Sequence, residues 1–304
     1  MKVVALAGGT GSAKLLAGLR ELRDQLVVIC NVGDNFLWQG LPVCPDIDIS
    51  MYALAGKGDR ERGWGLEGDT FHALSELGRL GAETWFRMGD RDLATSVLRA
   101  NLMGKGMTLT GATEELAQRQ GLDQRVLPIT DDPLETYILT SAGERHLQEF
   151  WVRDHGRGRV AGVAYRGAEK AAISESARKE ILDADRLVIC PANPVTSIGP
   201  MLQVRGVVDA LVQTSGRVSA LTPMKGGAPI SGPAGKLMKS VGVRPDSAGV
   251  AGLYSEFLDV LFVDRSDAAL RRQVEATGPR CVLSDITIRG RLDASRLAKE
   301  LIAC

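Results

Sequence analysis

Three aspartates near the start of the chain have the chemistry of a metal site. Asp46 and Asp48 lie one residue apart directly after Pro45, and Asp34 closes the segment Asn31-Val32-Gly33-Asp34. Mg²⁺ prefers hard oxygen ligands and commonly takes one or two protein carboxylates together with substrate phosphates. The alternative is charge complementarity at a helix N-terminus, which contributes about 0.3–1 kcal/mol and fits Asp46 better than Asp48. The sequence therefore predicts Asp34 and Asp48 as the ligands of Mg²⁺.

A glycine-rich segment follows the first apolar run and opens a helical pattern. It reads Gly8-Gly9-Thr10-Gly11-Ser12-Ala13-Lys14. Glycines let backbone N–H groups come close to a phosphate, and a helix N-terminus adds a partial positive charge. The spacing is neither G-x-G-x-x-G nor that of a P-loop. We expect the turn to contact a phosphate or a carboxylate, and a tight strand-to-helix turn without a ligand is the alternative.

Two later segments combine glycine and proline with polar side chains. Residues 190–200 contain Asn193 and Ser197, and residues 225–236 contain two lysines. Both follow predicted strands, and ligands of α/β sheets bind outside the carboxyl ends of the strands. We expect both loops to face the ligand, with an ordinary flexible loop as the alternative for residues 225–236.

Arginine, aspartate and aromatic side chains are concentrated in residues 85–95. The segment contains Arg87 and Arg91 close to Trp85 and Phe86. Arginines beside aromatic rings suit a ligand that has a flat ring and phosphates. The alternative is a helix capped by Asp90 or Asp92, with the arginines on the surface.

Short apolar segments alternating with helical patterns must position these residues. The six strand-like segments are residues 2–7, 26–31, 186–190, 218–221, 260–263 and 281–283. They are apolar on both faces, which is typical of a buried parallel sheet. Helical patterns at 13–23, 198–211, 268–276 and 294–302 follow most of them. The sequence therefore predicts a Rossmann-like, doubly wound, mainly parallel α/β fold.

The middle of the chain breaks this alternation. Helical patterns at 70–80, 93–102 and 112–120 are followed by extended segments at 125–129, 136–140 and 145–152. A turn signal, Ser141-Ala142-Gly143-Glu144, separates the last two. We predict a core formed by residues 1–58 and 179–304, with residues 59–178 inserted as an α+β lid that binds the acceptor.

The composition excludes several classes of protein. The 304 residues are 44% hydrophobic, and 37 Lys and Arg balance 37 Asp and Glu, which argues against disorder and against a nucleic-acid partner. No apolar segment is long enough to span a membrane, so we expect a cytoplasmic protein with no membrane partner. The five cysteines form no CxxC pair and are expected to be buried free thiols.

These motifs together closely resemble the CofD/FbiA family, the 2-phospho-L-lactate transferases of coenzyme F420 biosynthesis. The similarity runs nearly end to end. Beyond the glycine turn and the aspartates, it rests on Gly89-Asp90-Arg91-Asp92-Leu93-Ala94-Thr95, Ala192-Asn193-Pro194, Ser197-Ile198-Gly199-Pro200 and Ser231-Gly232-Pro233-Ala234-Gly235-Lys236.

The resemblance implies a reaction and a set of residues. A guanosine diphosphate ester of a three-carbon acid would donate its phospho-acid group to the 5′-hydroxyl of the deazaflavin FO, releasing GMP. Mg²⁺ is the implied cofactor and a homodimer the implied assembly. Asp48, Arg91 and Asp34 would be catalytic, and Asp48 and Arg91 would contact FO in a solvent-accessible cleft. The implied contacts of the donor ester are Gly8, Gly9, Thr10, Gly11, Ser12, Lys14, Asn193 and Ser197.

Some positions depart from the family pattern. Asn35 stands where an acidic residue is frequent, which makes Asp34 more important to a metal site and leaves the ligand set open. Ser12, Ile49 and Ser96 replace other frequent residues. Donors carrying 2-phospholactate, phosphoenolpyruvate or 3-phosphoglycerate all occur in the family, and the sequence does not decide among them.

Three other functions share part of the pattern. A YvcK-like nucleotide-sugar-binding regulatory protein would have the same sheet and glycine turn. An NAD-dependent oxidoreductase is disfavoured by the glycine spacing. A glycosyltransferase with paired aspartates on a metal-bound nucleotide diphosphate has similar metal chemistry. Binding of FO distinguishes the transferase from all three.

Overall fold

A seven-stranded, all-parallel sheet forms the centre of the molecule. The computed structural model describes residues 1–59 and 61–304. The strands of this part of the chain are β1 (Val3–Ala7), β2 (Leu26–Cys30), β3 (Phe36–Trp38), β4 (Leu41–Val43), β5 (Arg125–Pro128), β6 (Glu135–Thr140), β7 (Gly143–His146), β8 (Val160–Arg166), β9 (Arg186–Ile189), β10 (Arg217–Leu221), β11 (Met224–Lys225), β12 (Ala228–Pro229), β13 (Val260–Asp264) and β14 (Arg280–Ser284). The central sheet has the order β14-β13-β10-β9-β1-β2-β5.

Helices cover the sheet and connect its strands. They are α1 (Gly9–Leu19), α2 (Pro45–Ala55), α3 (His72–Arg79), α4 (Asp90–Gly104), α5 (Leu109–Arg119), α6 (Glu175–Leu182), α7 (Ile198–Gln203), α8 (Val207–Gln213), α9 (Ala234–Ser240), α10 (Ser247–Leu253), α11 (Arg271–Glu275) and α12 (Arg291–Ala303). The predicted helix at 198–211 is two helices, because the chain turns at Gly206, whose φ is 88°.

The apolar pattern of the strands explains the sheet. All five residues of β1 and all five of β2 are buried, as a strand covered by helices on both faces requires. The six predicted sheet strands are present, and the predicted doubly wound α/β fold is confirmed. The strand order reverses between β1 and β9, so the crevice at their carboxyl ends is the expected ligand site.

The middle of the chain does not stay apart from the sheet. The extended segment predicted at 125–129 lies within the inserted lid of the sequence prediction, but its residues Arg125–Pro128 form β5, which pairs in parallel with β2 at the edge of the central sheet. The antiparallel sheet β7-β6-β8 follows, with β6 and β7 joined by the predicted hairpin turn. The division into residues 1–58 with 179–304 and residues 59–178 stays a prediction, although the central sheet takes one strand from the middle segment.

The extended segment predicted at 145–152 ends early. Strand β7 stops at His146, and Glu149–Arg153 forms a π-helical turn. Such turns are rare and are found frequently at functional sites. Gln148, directly before this turn, bonds to Asp34 after the carboxyl end of β2.

The cysteines are free, as expected, and four of the five are buried. Burial raises the pKa of the Cys44 and Cys190 thiols to about 12, so they remain protonated. Within residues 1–59 and 61–304, no helix combines the length and the apolar character needed to cross a bilayer.

Candidate functional site

The glycine turn after β1 packs directly against the loop after β9. A Cβ atom on Gly8 would lie 2.7 Å from Ser197 Cβ, and one on Gly11 would lie 2.1 Å from the carbonyl oxygen of Pro191. Gly9 has a φ of 69°, which glycine adopts without strain. The glycines are therefore required by the close approach of two loops at the point where the strand order reverses.

Most predicted donor-binding residues meet at this junction. Gly8, Gly9, Gly11, Ser12 and Ser197 lie together. The Ser12 hydroxyl is 2.9 Å from both the amide nitrogen and the carbonyl oxygen of Gly8, which holds the turn closed.

Three other predicted donor contacts are placed differently. Thr10 and Lys14 are exposed on the first turns of α1. The Asn193 Oδ1 atom accepts hydrogen bonds from the amides of Val195 and Thr196, so this side chain shapes the loop after β9.

The carboxylate of Asp46 is hydrogen-bonded to the glycine turn. Its Oδ1 accepts a hydrogen bond of 2.7 Å from the amide of Gly9, at the start of α1. A carboxylate at this position is stabilised by the partial positive charge of the helix N-terminus. One of the backbone donors that the sequence assigns to a phosphate is therefore bonded to Asp46.

A buried asparagine, Asn31, joins two of the aspartates. Its Oδ1 accepts from the amide of Gly33 at 2.8 Å, so its Nδ2 faces the carboxylates. Nδ2 donates to Asp34 Oδ1 at 3.0 Å and to Asp46 Oδ2 at 2.9 Å. The structure therefore brings Asp34 next to Asp46, through a single amide group.

The second oxygen of Asp34 is bound from the middle segment. Gln148 Nε2 donates to Asp34 Oδ2 at 3.2 Å, and the Gln148 side chain is buried directly before the π-helical turn. Both oxygens of Asp34 are thus held by neutral amides.

The Asp34 and Asp46 pair lacks a positive partner. No lysine or arginine of residues 1–59 and 61–304 forms an ion pair with either carboxylate. Removal from water, with a contribution from the charge of Asp46, raises the pKa of Asp34 well above its usual range. Burial raises the pKa of Asp46 to about 6. The half-buried carboxylate of Asp34 and the buried carboxylate of Asp46 are thus oxygen ligands available to a cation.

Asp48 has a different environment. The sequence places it in a solvent-accessible cleft, but Asp48 is only 4% exposed and forms an ion pair with Arg99, which is fully buried. Side chains two positions apart on a helix point to different sides, so Asp48 faces α4 and Asp46 faces the glycine turn. In the described residues, no hydrogen-bond partner is shared by Asp34 and Asp48. These two residues as the metal pair stay a prediction, and the contacts favour Asp34 with Asp46.

Tyr52 connects the helix of the aspartates to α4. Its hydroxyl donates to Asp92 Oδ1 at 2.7 Å and lies 3.0 Å from Thr95 Oγ1. Burial and the nearby charge of Asp48 raise the pKa of Asp92 to about 7. The start of α4 is therefore fixed against α2, close to Asp48.

Arg91 lies at the surface at the start of α4. Its Nη1 donates to the carbonyl of Glu67 at 3.0 Å. Asp69 caps this helix by accepting from the amides of Arg91 and Asp92, at 2.9 and 3.1 Å. None of the described contacts of Arg91 involves Asp48, so their predicted joint contact with FO stays a prediction.

Neither Asp90 nor Asp92, the caps expected from the sequence, is the cap of α4, because Asp69 takes that position. Asp90 accepts hydrogen bonds from the amides of His72 and Ala73 and thereby caps α3, not α4. Arg87 lies over the ring of Phe71 at 5.2 Å, and Trp85 packs with Phe86. The rings of Trp85 and Phe86 thus pack against each other.

A cationic cleft lies beside the loop after β10. It has a volume of about 700 Å³ and is lined by Arg159, Lys236 and Lys239 together with glycines and prolines of residues 227–235. Lys236 also donates to the carbonyls of Gly156 and Gly158. That residues 225–236 face the ligand stays a prediction.

The sequence does not mark Asn31, Arg99 or Gln148 as functional residues, although it singles out Asp46 with the other two aspartates. Asn31 lies within the segment that ends in Asp34, and its amide type gave a usable signal. Arg99 and Gln148 reach the site from distant segments, and no local pattern marks them.

Comparison with known proteins places the chain among relatives of similar length. The model of the family described as 2-phospho-L-lactate transferase CofD matches residues 3–301. A 2-phospho-L-lactate transferase of Methanosarcina acetivorans is 39% identical over 302 residues, which cover 99% of this chain and 97% of the relative. A phosphoenolpyruvate transferase of Streptomyces griseus is 39% identical over 289 residues, which cover 92% of this chain and 91% of the relative.

A solved structure supports the fold independently. A crystal structure of a UPF0052-family protein from Bacillus halodurans has a TM-score of 0.66 and 16% identity, and the match covers 99% of this chain and 98% of that one. The identity is too low to extend the likeness beyond the fold. The family match over nearly the whole chain is decisive: the protein belongs to the 2-phospho-L-lactate transferase (CofD) family.

Proposed function

We propose that the protein is a transferase that moves a phospho-acid group from a guanosine diphosphate ester to the 5′-hydroxyl of the deazaflavin FO, in coenzyme F420 biosynthesis. The observation that carries the proposal is the Asp34 and Asp46 pair, which lies beside the glycine turn and, among residues 1–59 and 61–304, forms no ion pair with a lysine or an arginine. Relatives named for 2-phospho-L-lactate and for phosphoenolpyruvate transfer support the same reaction class and leave the donor acid open.

The residues at the crevice fit Mg²⁺. The described residues contain no cluster of three or more His, Cys, Asp or Glu side chains. We therefore do not propose a site in which the protein supplies all the ligands of the cation. Mg²⁺ commonly takes one or two carboxylates and fills its other positions with water and phosphate. We propose Asp34 as one ligand of Mg²⁺. For the second ligand, the contacts favour Asp46, whereas the sequence predicts Asp48.

The reaction needs positioning and charge neutralisation more than covalent chemistry. The FO hydroxyl oxygen bonds to the phosphorus that carries the acid, the bond from that phosphorus to the bridging oxygen breaks, and GMP leaves with the electron pair. The hydroxyl proton passes to a base or to solvent. Bound Mg²⁺ would neutralise diphosphate oxygens and lower the pKa of the attacking hydroxyl.

The chain's own groups divide between the two substrates. The amides of the glycine turn other than those of Gly8 and Gly9, together with the loop of Asn193 and Ser197, would bind the donor diphosphate at the junction of β1 and β9. Arg91, which is exposed at the start of α4, would bind the acceptor, whereas Asp48 is buried. The homodimer and the cytoplasmic location expected from the sequence stay predictions.

GMP release tests the proposal. The protein is incubated with FO, MgCl₂ and one of the three guanosine diphosphate esters, and GMP is measured by chromatography. One ester should give FO-dependent GMP. No GMP with any ester, together with unchanged FO fluorescence, would favour a YvcK-like regulatory protein instead.

Single variants identify the ligands. Asp34→Asn and Asp46→Asn should raise the Mg²⁺ concentration needed for half-maximal rate, and Asp48→Asn should do so only if the choice from sequence is right. Asp246→Asn is the matched control, because Asp246 caps α10 by accepting from the amide of Gly249, away from the crevice.

A further inference from the structure

We propose that Asn31 and Gln148 are positioning residues that together hold the carboxylate of Asp34 for a divalent cation. The proposal rests on the proposed function, since it assigns how that site is oriented. Neither Asn31 nor Gln148 is among the residues proposed to contact the substrates.

The Asn31 amide cannot turn over without losing its hydrogen bonds. Its Oδ1 is bound by the amide of Gly33 at 2.8 Å, and its Nδ2 is bound to Asp34 and Asp46 at 3.0 and 2.9 Å. The side chain is fully buried at the end of β2. Reversal would place an oxygen against two carboxylates, so the donor must face Asp34.

Gln148 binds the same carboxylate, although it lies 114 positions from Asp34 in the chain. It follows β7 and directly precedes the π-helical turn Glu149–Arg153. Gln148 is 7% exposed, and its Nε2 donates to Asp34 Oδ2 at 3.2 Å. The two oxygens of Asp34 are therefore held by two different parts of the fold.

The choice of amides has a chemical consequence. A neutral donor fixes the direction of a carboxylate and leaves its negative charge uncancelled, and each oxygen keeps a free lone pair. Asp48 shows the contrast, because the guanidinium of Arg99 cancels its charge in the interior. Groups that orient a metal ligand typically change metal affinity or activity by about 10–100-fold when they are removed.

Mg²⁺ affinity measured by calorimetry in the presence of GDP tests the inference without the reaction. Gln148→Met keeps the length of the side chain and removes the donor, and it should weaken Mg²⁺ binding by about 10–100-fold. The matched control is Gln124→Met, because Gln124 is also 7% exposed and its Nε2 donates at 2.7 Å to the carbonyl of Arg20, outside the site. The control should bind Mg²⁺ like the wild type.

The same variants give a kinetic readout. Gln148→Met should lower kcat by about tenfold or more with a donor KM within about twofold of wild type, because the cation site is misaligned while the donor contacts remain. Gln148→Leu is a second variant in case the methionine disturbs folding. Equal Mg²⁺ affinity in wild type and a folded Gln148 variant overturns the inference, as does a wild type that binds no Mg²⁺.

The outcomes separate the two proposals. If the wild type binds Mg²⁺ and the Gln148 variants bind it more weakly, but no FO product forms with any donor, the positioning role stands and the proposed function fails. If FO product forms and the Gln148 variants keep wild-type Mg²⁺ affinity, the proposed function stands and the positioning role fails.

Discussion

Arg99 and Asp48 form an ion pair in the interior of the protein. Their side chains are 0% and 6% exposed, and Arg99 also donates to the carbonyl of Pro42 at 3.2 Å. The pair joins α4 to the start of α2, the helix that also carries Asp46. A buried arginine thus holds in place a residue that the family resemblance assigns to the active site.

Removing only the arginine should destabilise the fold. Arg99→Met leaves the Asp48 carboxylate buried without its counter-charge, and the loss of one partner of a buried ion pair costs about 3–5 kcal/mol. The double variant Asp48→Asn with Arg99→Met removes both charges and should recover most of that loss. Urea unfolding measures both free energies, and a single variant as stable as the wild type would show that the pair does not form.

Asp48→Ala should also destabilise the protein while it abolishes turnover, because it leaves Arg99 unpaired in the interior. Loss of turnover with wild-type stability would instead support the expectation from the sequence that Asp48 lies in a solvent-accessible cleft.

Asp92 should make stability fall as pH rises. Its pKa is raised from 3.8 to about 7 by burial, so between these values the folded protein keeps a proton that the unfolded chain has released. Stability is therefore lost progressively as pH rises through this window. Asp92→Asn does not titrate and still offers an oxygen to the Tyr52 hydroxyl. Its free energy of unfolding, relative to wild type, should be higher at about pH 8 than at about pH 4. A difference independent of pH would contradict the raised pKa.

Gly11→Ala should disrupt the junction of the two loops. The added Cβ would lie 2.1 Å from the carbonyl oxygen of Pro191, so the loop after β9 must move. Overpacking of this kind costs about 1–3 kcal/mol, and donor affinity should fall with it. Gly252→Ala is the control, since Gly252 is also helical and its Cβ would meet nothing within 4 Å. Thermal unfolding and GDP titration report both effects. Equal stability of the two variants would refute the proposed close approach.

Arg91→Lys should weaken FO binding more than GDP binding. The guanidinium already gives one nitrogen to the carbonyl of Glu67 and keeps further donors for a ligand, and a lysine cannot replace a two-pronged contact. Because Arg91 is exposed, the variant should fold normally. Separate titrations with FO, by fluorescence, and with GDP, by calorimetry, measure the two affinities. A loss confined to GDP would assign Arg91 to the donor.

The sheet was predictable from sequence because its strands are apolar on both faces, and the loops of the site follow from strand ends. This pattern predicts β1, β2 and β9. Because Gly8 and Ser197 follow two of these strands, the sequence also predicts that both residues lie at the edge of the sheet where a ligand binds. The segment at 125–129 was assigned to the lid because its local pattern does not reveal which strand it pairs with.

The inner contacts of the site depend on pairings over long distances in the chain. The sequence predicts Gln148 within an extended segment, whereas β7 ends at His146 and Gln148 bonds to Asp34, 114 positions away. Arg99 lies in a helix whose sequence resembles an ordinary amphipathic one, and its partner is 51 residues away. The choice between Asp46 and Asp48 depends on the direction of each side chain on α2, which residue spacing alone does not give.

The mass of the product tests the central claim most directly. With FO, MgCl₂ and the correct guanosine diphosphate ester, we predict a species with the mass of FO plus one phospho-acid group, formed together with an equal amount of GMP and absent when the divalent cation is chelated. Recovery of FO at its original mass with all three esters, under conditions where the protein is folded and binds Mg²⁺, would contradict the account.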